Sequence, residues 1–64
     1  MPKIWTFDLS LEGVNRLHDY VNRSRDPLLR IIHILANDLE GYTDHYICLV
    51  QCDDRTATLL SLYE

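Results

Sequence analysis

The segment from Asp26 to Gly41, DPLLRIIHILANDLEG, is the most apolar in the chain, and its form constrains everything around it. Leu28, Ile31, Ile32, Leu35 and Leu39 fall at i, i+3, i+4, i+7 and i+11, a single stripe on an α-helix. Asp26 suits the cap of a first turn, and Pro27 a first helical position whose N–H needs no partner. Gly41 suits a left-handed C′ position. With Leu29 and Ile34 off the stripe, this helix is apolar around most of its circumference and is expected at the centre of the fold. A competing reading stands beside it. The run LLRIIHIL holds three isoleucines, and a short apolar run of that kind also suits a buried strand. The Asp-Pro entry and the length favour the helix.

Upstream, KIWTFDL over residues 3–9 alternates, with Trp5, Phe7 and Leu9 on one face and Ile4, Thr6 and Asp8 on the other. Period two with aromatic enrichment predicts a half-buried strand. Ser10 then stands as an N-cap before LEGVNRLHDYVNR, with Glu12 in the first turn. Leu11, Val14, Leu17 and Val21 recur at helical spacing against Asn15, Arg16, Asp19 and Arg23, an amphipathic helix of about three and a half turns. Gly13 costs that helix ~1 kcal/mol against alanine without overturning it. Ser24, Arg25 and Asp26 link it to the central helix.

From Tyr42 the pattern changes. YTDHYICLVQC is rich in β-branched and aromatic residues, Asp53-Asp54 interrupts it, and RTATLLSLYE resumes it, which predicts two strands joined by an acidic turn. With Cys52 opposite Arg55, Val50 faces Ala57, Cys48 faces Leu59 and Tyr46 faces Ser61. Leu49 with Thr58, Ile47 with Leu60 and His45 with Leu62 fall on the other face, so both faces of the hairpin are substantially apolar. A sheet apolar on two sides must be covered on two sides. Either one helix lies on each face, or two helices cover one face and a second copy or another protein covers the other.

The 64 residues allow one domain and one small core. A chain of this size buries only ~60% of its unfolded surface, so it gains much from a partner. Six Lys and Arg against ten Asp and Glu give a formal net charge of −4, which opposes general nucleic-acid binding. No apolar run approaches the ~20 residues of a membrane span, and no signal-peptide layout opens the chain, so a cytoplasmic protein is expected.

Cys48 and Cys52 sit four apart in an expected strand, with Cα atoms roughly 13 Å apart, too far for a disulfide. They read as reduced thiols packed as small apolar residues. A zinc site from His45, Cys48 and Cys52 is opposed by alternation, which puts His45 and Cys48 on opposite strand faces, so no metal is expected. A nucleophilic thiol needs electropositive surroundings and a base, whereas Cys52 adjoins two aspartates and Cys48 is interior. His18 and His33 fall on the expected helices, away from any thiol. Asp53-Asp54 at a turn tip reads as a solvated loop rather than an acid/base pair. No phosphate loop, dinucleotide fingerprint or nucleophile elbow is present, and neither a cofactor nor a small-molecule substrate is expected.

Two resemblances are carried by short features. Pro2, the length, and a strand followed by a helix resemble the tautomerase superfamily, which implies an enzyme whose nucleophile is the Pro2 amine once Met1 is lost. Strand, helix, link, helix over residues 3–40 is similar in order to ribbon-helix-helix repressors. That resemblance implies DNA reading by Ile4, Thr6 and Asp8, or by Trp5 and Phe7. Neither set suits base edges, and Asp8 repels phosphate.

The expected fold is therefore α+β, a two-layer βααββ domain over residues 1–64 with a three-stranded, mostly antiparallel sheet packed with two helices. The expected function is that of a small non-enzymatic interaction module, a regulator or inhibitor acting as a homodimer or by docking on a larger protein. Tyr46, Cys48, Val50, Leu59 and Tyr63 are its expected interface, with Asp38, Glu40, Asp44, Asp53 and Asp54 as an acidic rim that can steer a basic partner.

Overall fold

Alternation along the first segment produces the first strand. In the computed structural model, which describes residues 2–36 and 45–64, β1 spans Lys3–Ser10. Phe7 and Leu9 are buried, Trp5 is half-buried, and Ile4, Thr6 and Asp8 are exposed, as the period-two pattern requires. Ser10 ends the strand and caps the helix α1, Leu11–Arg23, its Oγ accepting the Gly13 N–H at 3.2 Å. Gly13, Val14 and Leu17 face inward, and the opposite side carries the i,i+4 pairs Glu12–Arg16 and Asp19–Arg23. A Cβ at Gly13 would lie 3.0 Å from the Tyr63 carbonyl oxygen and 3.1 Å from Leu9 Cβ. The helix accepts the propensity cost of glycine because three segments converge there.

The expected central helix is corrected. Asp26 caps no helix; its carboxylate accepts the Leu28 N–H at 2.9 Å, and its carbonyl accepts the Leu29 N–H at 3.2 Å, closing a turn around Pro27. Leu29 is buried, and the chain then runs as strand β2, Arg30–Ala36. The competing reading of this run as a strand is the one the structure takes. Residues 37–41, including the expected Gly41 C′ position, lie outside the described residues.

His45–Cys52 forms β3, the expected strand, and it occupies the middle of the sheet in the order β1-β3-β2, with both ladders antiparallel. Register pairs Trp5 with Val50, Phe7 with Cys48 and Leu9 with Tyr46 on one side. On the other side Ile31 pairs with Val50 and Ile34 with Cys48, with an irregularity between Ile31 and His33. That bulge inserts one residue, Ile32, so Ile31 and Ile34 both face the core at a spacing of three.

The last segment is also corrected. RTATLLSLYE is not a hairpin strand but supplies most of helix α2, Asp54–Ser61, and the expected pairing of Cys52 with Arg55 and its neighbours does not form. The Asp53 side chain accepts the Thr56 N–H at 2.8 Å, the geometry of an N-cap, and that bond holds its carboxyl below the usual carboxylate range. Thr56, Ala57 and Leu60 are buried at helical spacing.

Val14 and Leu17 of α1 and Ala57 and Leu60 of α2 join Phe7, Leu9, Leu29, Cys48, Val50 and Cys52 in one core. Both helices therefore lie on one face of the sheet. The result is an α+β fold with a three-stranded antiparallel sheet and two helices, in the order βαββα rather than βααββ.

Candidate interaction surface

Because both helices pack on one side, the other side of the sheet has no helix over it among the described residues. Register places its side chains in three rows running across β1, β3 and β2. They are Ile4–Gln51–Arg30, Thr6–Leu49–His33 and Asp8–Ile47–Leu35. Leu49 is at the centre. Ile4 and Leu35 occupy diagonally opposite corners and are 59% and 51% exposed. Ile47 and Leu49, flanked on both sides, are half-buried. Ile32, displaced by the bulge, is exposed beside them.

The remaining corners carry opposite charge, Arg30 at one and Asp8 at the other. Asp8 lies 3.5 Å from His45 Nδ1, and its backbone N–H donates to Glu64 Oε2 at 3.1 Å. Arg30 makes no ion pair among the described residues. The face is thus a leucine-centred apolar diagonal crossed by a charged one.

The expected interface residues are dispersed. Cys48 and Val50 are fully buried beneath the helices and are core residues, which corrects their placement on an exposed hairpin face. Tyr46 is half-buried at the end of that same inward face, opposite Leu9 and Ala36. Leu59 is exposed on α2, and Tyr63 packs half-buried against the core. Of the acidic rim, Asp53 caps α2 and Asp54 pairs loosely with Lys3 at 3.8 Å, both near the sheet's far end. Asp38, Glu40 and Asp44 lie outside the described residues. The surface missed in the sequence is the outer face of β2, hidden when residues 30–36 are read as a helix.

Among the described residues no three His, Cys, Asp or Glu side chains gather as a metal set, and His45 projects from the side of β3 opposite Cys48 and Cys52. A groove of about 440 Å³ between α1 and Tyr63 is lined by Arg16, Asp19, Tyr20, Arg23, Ser24 and Tyr63. Its guanidiniums are already paired, Arg16 to Glu12 at 2.7 Å and Arg23 to Asp19 at 3.2 Å, and it does not include Pro2. The strand–helix–helix order behind the ribbon-helix-helix resemblance is absent, since β2 follows α1. No described helix is long and apolar enough to cross a membrane.

Burial pushes both thiols up; Asp8 adds to the effect at Cys48, and Asp53, Asp26 and Asp54 add to it at Cys52. Neither thiol is in a disulfide, and both are buried. A thiol raised on folding stabilises the fold fully below its unfolded value of about 8.5, and that contribution is lost as pH rises through the folded value. Disulfide-exchange reagents are therefore expected to label Cys48 and Cys52 only as fast as the domain opens, and urea midpoints are expected to fall above about pH 8.5. Rapid stoichiometric labelling in native buffer at pH 7.5 would contradict this packing.

Compared with protein-family models, curated proteins and solved structures, the chain matches none.

Proposed function

We propose that this protein is a small non-enzymatic interaction module, a regulator or inhibitor by docking, whose working surface is the sheet face opposite the helices. The observation that carries the reading is the apolar diagonal Ile4–Leu49–Leu35, exposed at both ends and half-buried at Leu49, on a face no described element covers. Solvated antiparallel sheet faces ordinarily alternate to polar residues, and here the outward positions of the central strand include Ile47 and Leu49. A partner that covers these side chains removes apolar area which a core this small cannot reach. The opposed corners Arg30 and Asp8 supply orientation, since charges at an interface set register more than strength.

The test is photo-crosslinking in the native extract with a benzophenone side chain at position 35, and at position 18 on exposed α1 as control. Discrete adducts from position 35, absent from position 18, are expected. No discrete adduct at 35, or the same adducts at both positions, defeats the reading.

A further inference from the structure

From the charge pattern of this face we infer that its occupant is a second copy of the same chain, packed sheet on sheet about a two-fold axis. The inference rests on the interaction reading above and adds the partner and its geometry. Consider two such faces apposed, with the axis lying between them along the Ile4–Leu49–Leu35 diagonal. Each residue on the axis then meets its own counterpart, so Ile4, Leu49 and Leu35 stack on themselves. Each residue off the axis meets its mirror position across it. Arg30 comes near Asp8 of the second copy, within reach of its long side chain, and Asp8 near its Arg30. Thr6 meets Gln51, polar on polar, and His33 meets Ile47.

The face is self-complementary in this arrangement. Its two charged corners are also opposite in sign, one Arg against one Asp, in a chain whose formal net charge is −4. The other in-plane axes are worse. An axis along the strands sets Arg30 over Ile4, and one across the strands sets Asp8 over Ile4, leaving each charge against an apolar corner. The diagonal axis makes the strands of the two sheets cross steeply, within the range of orthogonal sheet packing.

Size sets the strength. Three strands about 4.8 Å apart and some 23 Å long present about 350 Å² of projected face. With side-chain relief, two copies bury on the order of 1,000 Å² together, at the low end of specific interfaces, so a reversible dimer in the micromolar range is expected.

The measurement is sedimentation equilibrium of the purified full chain over a wide dilution series, with thermal melts of every variant to establish folding. The wild-type mass is expected to rise from 7.5 kDa toward twice that value with concentration. Leu49→Asp is expected to weaken association at least tenfold. Arg30→Asp and Asp8→Arg should each weaken it alone, because each sets like charges together. Mixed in equal amounts, these two folded variants should associate again as a heterodimer, since both cross-copy pairs are then opposite in sign. The inference is overturned by a monomer at all concentrations, by a dimer indifferent to these substitutions, or by a mixture that fails to recover. A monomer that still crosslinks from position 35 to a larger protein overturns the second copy while leaving the interaction reading standing. A monomer with no such adduct removes both.

Discussion

Val50→Asp is expected to abolish folding, while Leu49→Asp, one residue away on the same strand, leaves a folded domain. Val50 is fully buried between Trp5 and Ile31 beneath the helices, and no charged side chain is buried with it among the described residues. An isolated carboxylate there is either desolvated, at a cost of several kcal/mol, or protonated at a cost of similar size. The total stability of a small domain is about 5 kcal/mol, so the substitution exceeds or exhausts it. Leu49 points to the opposite side, where a carboxylate reaches water. Far-UV circular dichroism at 20 °C with a thermal melt separates the two. Equal loss of structure in both variants would mean that the sheet is covered on both faces within one chain.

The second large effect is on α2. Leu60→Ala is expected to cost about 2–5 kcal/mol, because Leu60 is 1% exposed and its truncation leaves a cavity against the sheet. Leu59→Ala, at a position 46% exposed, should stay within about 0.5 kcal/mol. Urea titrations of the two variants measure the contrast. In a hairpin strand the two neighbours would also point oppositely, but Thr56 and Ala57 side by side in the core belong to a helix alone. Similar losses at both positions would remove α2 from the fold.

The first two elements were legible because each obeys one period over its whole length: two from Trp5 to Leu9, and 3.6 from Val14 to Val21, punctuated at Ser10. β3 was legible from its β-branched and aromatic content. The segment after Asp26 imitates a helix for a specific reason. A bulge at Ile32 adds one residue to a strand, so the inward positions Ile31 and Ile34 fall three apart and imitate a helix. Three isoleucines within four positions were the better signal, since branching at Cβ favours strand. Asp-Pro is as fit for a turn as for a helix start, and the Asp26 carboxylate on the Leu28 N–H is the turn. The C-terminal segment failed at its punctuation. Asp53 reads as a turn tip, yet an aspartate three residues ahead of a free N–H also caps a helix, and the bond to Thr56 decides it.

Reading residues 30–36 as a helix and 55–64 as a strand assigned Cys48 and Val50 to an exposed face, where the true third strand and second helix bury them. The apolar side chains that no described element covers lie on the opposite surface, at Ile4, Leu35 and Leu49. Alternation places Ile4 on one face of β1 and Leu49 on one face of β3, but only the β1–β3 and β2–β3 registers bring them together with Leu35 and Arg30.

The position of β3 has a consequence for how the chain is made. The central strand is the last strand in sequence, so β1 and β2 never touch as a pair and each waits for the same late segment. Lys3 must find Cys52, and every contact of β1 with the sheet spans most of the chain. While the ribosome has delivered only the first 36 residues, α1 can flicker but no ladder exists, and Phe7, Leu9 and Leu29 have nothing to close over them. Closure of such distant ends pays its entropy before any contact rewards it. No ladder can form until β3 emerges, and the core closes only when α2, later still in the chain, brings Ala57 and Leu60 onto it.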